Sequence, residues 1–177
     1  MRDSTIPAVP QTVVHAEVRV RDRVMRYNRS GGGVPVVVLG APGASDPLWP
    51  ELHEALAGGF RLIVPELPRC DEDVAAWLAA FLEGLGTPTV RIVASSDFCM
   101  SALELALADL ERIDRVVLVP RGEPSTAGLA GDVATVARRS TVPLLVVRRG
   151  VPAVEAVPLV LSFLAGGDAA ASAPPSY

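Results

Sequence analysis

Three short segments of the sequence carry most of the side chains that could perform chemistry. Each of them directly follows an apolar run of strand length. They are residues 40–46, 66–70 and 95–99. In a parallel sheet the carboxyl ends of the strands lie at one edge, and ligands bind in the crevice outside that edge. The three segments are therefore expected to lie side by side and to form the candidate site.

Ser96 is the best candidate nucleophile, but the sequence supplies no obvious base for it. A serine hydroxyl is a weak nucleophile unless an adjacent base takes its proton. The chain has only two histidines, His15 and His53, and both precede Ser96. His15 lies on the polar side of a predicted outer strand. His53 follows Trp49 by one helical turn and could approach the mouth of a pocket.

Other side chains near Ser96 have both a chemical and a structural interpretation. Asp97 and Glu66 could transfer protons if burial tuned their carboxyl groups. Asp97 could equally be a helix N-cap, and Glu66 a residue without a catalytic role. Cys99 would have a more reactive thiol at a helix N-terminus. A buried cysteine more often behaves as a small apolar side chain, and we prefer that interpretation.

Strand and helix patterns alternate along the chain. A period of two predicts a strand over residues 12–20, and a returning hairpin strand follows at 23–28. Continuous apolar runs predict buried strands at 35–39, 61–65, 90–94, 115–119 and 143–147. Helical patterns cover 46–57, 71–85, 97–110, 125–138 and 153–164. The alternation indicates an α/β fold with a mainly parallel sheet, helices on both faces and an N-terminal antiparallel hairpin.

Composition excludes several classes of function. The net charge of −4 and the absence of a basic patch argue against nucleic-acid binding. No apolar run is long enough to span a membrane. Two cysteines are too few for a disulfide scaffold, so we expect a reduced cytoplasmic environment. The glycine pattern fits neither a dinucleotide fingerprint nor a P-loop, and we predict no cofactor and no metal site.

The three loops together resemble those of the α/β-hydrolases. Residues 39–49, Leu-Gly-Ala-Pro-Gly-Ala-Ser-Asp-Pro-Leu-Trp, are similar to the family's His-Gly-x-Pro-Gly stretch with a following Asp-x-x-Trp. Residues 65–70 resemble the turn after the next strand. Residues 94–98, Ala-Ser-Ser-Asp-Phe, stand where the family's nucleophile elbow, Gly-x-Ser-x-Gly, belongs. The resemblance implies Ser96 as the nucleophile, with the backbone N–H groups of Ala41 and Asp97 as an oxyanion hole.

The departures from the family pattern leave the elbow register open. Ala94 and Phe98 replace the two elbow glycines, and Phe98 is large for a tight turn. An alternative register makes Asp97 the elbow residue, with the small Ser95 and Cys99 on either side of it. That register resembles the Asp-Trp-Gly elbow of the dehalogenase branch. We prefer the serine register but keep the aspartate register as an alternative.

The carboxyl-terminal third lacks the family's expected histidine. In the α/β-hydrolases the chain order is nucleophile, acid and then histidine. After residue 147 this sequence runs through Arg148 and Arg149 directly to a helical pattern. We therefore expect the last strand and its histidine to be deleted and no cap domain to be present. The expected organisation is a flexible segment 1–11, one domain over 12–165 and a disordered tail over 166–177.

The sequence thus predicts a degenerate α/β-hydrolase-fold protein without a Ser-His-Asp triad. The leading expectation is a non-hydrolytic protein that binds or rearranges an apolar small molecule, as a cyclase or an auxiliary protein of secondary metabolism. Its pocket would include Ala41, Glu66, Phe98 and Cys99, with Ser96 and Asp97 as the catalytic candidates. Two alternatives remain: a weak esterase or thioesterase that uses Ser96, and a pseudoenzyme subunit that forms a homodimer or pairs with another protein.

Overall fold

The structure is a computed structural model that describes residues 12–40, 48–68, 73–95, 98–120, 139, 141–147 and 150–166. These ranges contain seven strands: β1 Val14–Val20, β2 Arg23–Ser30, β3 Pro35–Leu39, β4 Arg61–Pro65, β5 Val90–Ser95, β6 Ile113–Val119 and β7 Leu144–Val146. They also contain four helices: α1 Leu48–Gly59, α2 Val74–Leu85, α3 Cys99–Ala108 and α4 Ala153–Ala165. The predicted segment 1–11, the predicted helix 125–138 and the predicted tail beyond residue 166 lie outside the described residues.

The strands form one sheet in the order β1-β2-β4-β3-β5-β6-β7. Strand β2 pairs antiparallel with β1 and with β4, and the remaining neighbours are parallel. The predicted mainly parallel sheet with an N-terminal hairpin is therefore confirmed. After β3 the chain continues to β4 on one side and later to β5 on the other. This reversal makes the carboxyl ends of β3 and β5 the topological switch point, where α/β sheets bind ligands.

The central strands are buried on both faces because helices cover both sides of the sheet. Every side chain of β3 is buried. Successive strand residues point to opposite faces, so Val37 joins one apolar cluster with α2 and α3. Val36 and Val38 join a second cluster with α1 and α4. The uninterrupted apolar run of β3 is thus the direct consequence of its central position.

Helix α4 lies on the same face of the sheet as α1. Its buried residues Ala156, Val160 and Phe163 share one cluster with Leu145 and Val147 at the end of the sheet. In the described residues no strand separates β7 from α4. The helix therefore covers one face of the last described strand and leaves β7 at the edge of the described sheet.

Charged side chains hold the carboxyl terminus of α4 against the sheet. Arg91 of β5 donates a hydrogen bond from Nη1 to the carbonyl of Leu164. Its Nε atom lies 2.7 Å from Oδ2 of Asp114 in β6. The guanidinium of Arg115 lies 5.4 Å from the centre of the Phe163 ring. Cationic groups at a helix carboxyl terminus compensate its unsatisfied carbonyls and its dipole, so these arginines fix the register of α4.

Helix α3 and strand β7 are shorter than the sequence predicted. The predicted helix 97–110 begins at Cys99 in the described residues and ends at Ala108. Its end is set by Asp109, whose carboxylate accepts a hydrogen bond from the N–H of Arg112 at 3.3 Å. Such a side-chain turn competes with further helical bonding. The β7 ladder is confined to Leu144–Val146, within the predicted run 143–147.

Two helical glycines offer a matched test of packing between α2 and the hairpin. A Cβ atom at Gly84 of α2 would lie 2.4 Å from Cγ2 of Val20 and 2.8 Å from Cγ2 of Val18. A Cβ atom at Gly58 of α1 would have no atom within 4 Å. We expect Gly84→Ala to lower the free energy of unfolding by about 1–3 kcal/mol through overpacking. Gly58→Ala should raise it by about 0.5 kcal/mol because alanine favours the helix. Chemical denaturation of both variants measures the two effects, and equal unfolding midpoints would contradict the tight α2–β1 contact.

Candidate functional site

The strand registers bring Glu66, Gly40 and Ser95 into neighbouring positions at the carboxyl edge. Leu39 of β3 is paired with Ala94 of β5, so Gly40 and Ser95 follow side by side. On the other side of β3, Val37 is paired with Ile63 of β4. Continuing that register by three residues sets Glu66 beside Gly40. Because side chains alternate between faces, all three positions belong to the α1 face of the sheet.

Gly40 is the closest point of contact between the three elements that meet here. Its φ angle is +148°, and a Cβ atom would lie 2.1 Å from Ser95 Oγ and 3.0 Å from Cζ2 of Trp49. Ser95 is buried, and its hydroxyl donates to the carbonyl of Leu39 at 3.4 Å. A residue without a side chain is therefore required where the chain leaves β3.

Cys99 and Phe98 differ in how they pack at the start of α3. The thiol of Cys99 is buried, and its Sγ atom lies 3.6 Å from the carbonyl oxygen of Ala94. Phe98 is only partly buried and packs against the cluster formed with α2 and α3. Cys99 therefore occupies the tight contact between strand and helix. This is the position that the aspartate register assigns to it.

Several predicted site residues lie outside the described part of the chain. These are Ala41, Ser96 and Asp97. The oxyanion hole and the choice of Ser96 or Asp97 as the elbow residue stay predictions. What the structure supplies is the frame around them, namely the end of β3, the end of β5 and the first turn of α3.

Glu66 is exposed and lies near a cluster of surface charges. Its N–H donates to the carbonyl of Arg26 at 2.9 Å. Arg26 forms an ion pair with Glu17, with 3.0 Å between Nε and Oε1. The hydrogen bond to Glu17, followed by the negative charges of Glu17 and Glu66, raises the pKa of Arg26. The Glu66 carboxylate is thus part of a solvated charge network on the outer side of β4.

The two histidines have very different surroundings. His15 is exposed on the edge strand β1, and its Nδ1 atom lies 2.6 Å from Oδ1 of Asn28. His53 is half-buried on α1, and this burial lowers the pKa of its imidazole. It lines a cavity of about 260 Å³ together with Val38, Gly40, Trp49, Pro50, Glu54 and Val64.

The sequence did not reveal the contact that Ser95 makes with Gly40 or the cavity beside His53. The role of Ser95 follows from the alternation of β5, which places it on the same face as Val93, but its contact with Gly40 depends on the pairing of distant strands. The cavity beside His53 depends on how α1 lies across β3 and β4.

The described residues contain no cluster of three metal-ligating side chains. Among them no helix is long and apolar enough to cross a membrane.

Sequence comparison gives distant relatives. No protein-family model matches the sequence. Uncharacterized proteins from Mycobacterium tuberculosis and Mycobacterium bovis are 27% identical over 155 residues, which cover 81% of this chain and 42% of theirs. The chain thus spans about two fifths of the length of the curated relatives that it matches.

Solved structures with the same arrangement are hydrolases and a dehalogenase. A loop variant of a haloalkane dehalogenase from Bradyrhizobium elkanii aligns with a TM-score of 0.51 and 20% identity, covering 64% of this chain and 42% of that one. An epoxide hydrolase from Vigna radiata aligns with a TM-score of 0.51 and 20% identity, covering 70% and 44%. The epoxide hydrolase CorEH aligns with a TM-score of 0.51 and 17% identity, covering 72% and 56%. The chain has the α/β-hydrolase fold, as its loops predicted.

The contact at Gly40 can be tested by a single added methyl group. Gly40→Ala would force a Cβ atom into the Ser95 hydroxyl and adopt an unfavourable φ angle. We expect a loss of about 2–4 kcal/mol in the free energy of unfolding. Gly32→Ala is the control because a Cβ atom there has no atom within 4 Å. Thermal unfolding compares the two variants, and a Gly40→Ala variant as stable as Gly32→Ala would contradict the close approach.

Proposed function

We propose that this α/β-hydrolase-fold chain binds a mainly apolar small molecule at the carboxyl ends of β3, β4 and β5, and that it does not hydrolyse esters through a serine triad. The observation that carries the proposal is the apolar cavity beside Gly40, which lies between α1 and the ends of β3 and β4, next to the switch point of the sheet. Small-molecule sites in α/β folds are typically apolar, with few polar groups, and lie at this position.

The placement of the two histidines supports a non-hydrolytic role. A general base must come within hydrogen-bond reach of the hydroxyl that it activates. His15 lies on the edge strand β1 and is bonded to Asn28 of β2, and the three strands β2, β4 and β3 separate it from β5. His53 faces the cavity on the α1 side. The neighbouring hydroxyl, that of Ser95, is bonded to a backbone carbonyl.

If the chain is catalytic, proton transfer by Asp97 is the chemistry that we favour. The buried position of Cys99 supports the register in which Asp97 forms the elbow, in preference to the serine register. Glu66 is exposed, so it lacks the burial that tunes a carboxyl group for acid–base work. A cyclase or an auxiliary protein of secondary metabolism would use such a site. A weak esterase that uses Ser96 is the alternative activity.

Ester hydrolysis distinguishes these possibilities. Without an adjacent base the serine hydroxyl is a weak nucleophile, so covalent catalysis of ester hydrolysis is lost. Short p-nitrophenyl esters should therefore turn over barely above background, and Ser96→Ala should not change the rate. Rapid turnover that Ser96→Ala abolishes would refute the proposal and establish the esterase. If His53→Ala also abolished it, His53 would be the base.

Binding is tested with a set of small apolar fragments and methyl NMR spectra. The proposal predicts saturable shifts at the methyl groups of Val38, Ala94 or Val119, which surround the ends of β3, β5 and β6. Leu103, buried within α3 and away from the strand ends, is the internal control. If none of the fragments shifts the methyl groups at the strand ends, the binding proposal fails.

The exposed edge of β7 supports self-association as a second proposal. Strand β7 is the last strand of the described sheet, and Val146 is 36% exposed there. Edge strands present unpaired backbone groups that invite pairing with another chain. We propose a homodimer, or a heteromer with another protein, formed at this edge.

Light scattering at low micromolar concentration measures the association. We expect a dimer that Val146→Arg converts to a monomer, because a charged side chain on an edge strand opposes edge-to-edge pairing. Val24→Arg is the matched control, since Val24 is similarly exposed on β2 at the other end of the sheet. A monomeric wild-type chain would remove the physical motive for the subunit hypothesis.

A further inference from the structure

The cavity beside His53 lies between α1 and two strand ends. Its apolar walls are formed by Val38 of β3, Val64 of β4 and Trp49 of α1. Gly40 contributes no side chain and leaves the end of β3 open. Val64 is only partly buried, although its neighbours Leu62 and Ile63 are buried. Among the described residues, the cavity is therefore a part of the apolar α1 face that no side chain covers.

The polar edge of the cavity is formed by His53 and Glu54. Burial lowers the pKa of His53, so its imidazole is neutral at pH 7. A neutral imidazole offers one nitrogen that accepts a hydrogen bond and one that donates. Within the described residues the structure gives His53 no hydrogen-bond partner. The imidazole can therefore accept a hydrogen bond from a bound hydroxyl group.

The shape and charge of the cavity select one class of ligand. A cavity of roughly 150 Å³ lined by apolar side chains is enough for benzene, and this one measures about 260 Å³. A substituted aromatic ring fits that volume. Glu54 brings a negative charge to the rim, which disfavours carboxylates. A neutral hydroxyl group satisfies the imidazole without adding charge.

We propose that the cavity binds a small aromatic or branched aliphatic alcohol, with His53 accepting the hydrogen bond of its hydroxyl group. This inference rests on the proposed binding function and assigns it a ligand class and a residue that determines specificity. The ligand lies against the wall formed by Val38, Val64 and Trp49. Its hydroxyl group points towards α1.

Two matched probes test the hydroxyl contact, namely 4-ethylphenol and ethylbenzene. Their binding is followed by methyl NMR at Val38 and Val64, with Leu103 as the internal control. We expect 4-ethylphenol to bind more tightly than ethylbenzene. One hydrogen bond changes affinity by about three- to tenfold. His53→Phe should therefore lower the affinity for 4-ethylphenol by that factor and leave the affinity for ethylbenzene unchanged. His53→Gln, which keeps an acceptor, should restore part of the affinity.

A second pair of variants tests the location of the site. Val64→Phe fills the cavity and should abolish the binding of both probes. Val24→Phe places the same side chain at an exposed position on β2 that does not line the cavity, and binding should persist. If Val64→Phe leaves binding intact, or if His53→Phe weakens both probes equally, the proposed contact is wrong.

The two proposals fail in different ways. If the phenol shifts Ala94 and Val119 but not Val38 and Val64, binding occurs at the elbow and the His53 site is refuted. If neither probe binds but another apolar fragment shifts Ala94 or Val119, the alcohol specificity is refuted and the binding function stands. If no fragment binds anywhere at the strand ends, both proposals fail.

Discussion

The close approach of Gly40, Ser95 and Trp49 is the constraint on which the rest of the site depends. It requires a residue without a Cβ atom at the end of β3, a small side chain at the end of β5 and an aromatic ring on the first turn of α1. Each of these elements is fixed elsewhere by burial, because β3 and β5 lie in the centre of the sheet. The cavity beside His53 exists because the same contact leaves the end of β3 without a side chain.

The alternation of the central strands explains why the two faces of the sheet have different roles. Val37 and Ile92 pack against α2 and α3 and belong to a cluster that extends under the hairpin. Val38 and Val93 face α1 and α4. On the same face, the described outer strands β1 and β2 carry His15, Asn28, Glu17 and Arg26 in place of apolar side chains. One face is therefore a core that extends under the hairpin, and the other joins a core to a solvated surface beside the cavity.

The sequence predicted those parts of the fold that depend on local patterns. The bounds of β3 and β4 agree with the predicted runs 35–39 and 61–65, because a strand buried on both faces is apolar at every position. The end of α3 was missed because the Asp109 side chain forms a turn that hydrophobic periodicity does not reveal. The contact of Ser95 with Gly40 joins residues 55 positions apart in the chain, so it depends on strand order and register. The roles of Ser96 and Asp97 at the elbow stay predictions.

The chemistry of a neutral imidazole differs from that of a catalytic triad, and this difference explains what His53 can contribute. In a triad an acid orients the histidine and stabilises the imidazolium that forms when it takes a proton. The cavity gives His53 apolar neighbours that disfavour the imidazolium, and burial lowers its pKa accordingly. Glu54 is exposed at the rim of the cavity, and among the described residues no ion pair or hydrogen bond joins it to His53. A histidine held in this way accepts a hydrogen bond well and retains a proton poorly. Its surroundings therefore suit the hydroxyl recognition that we propose for it more than the base of a triad.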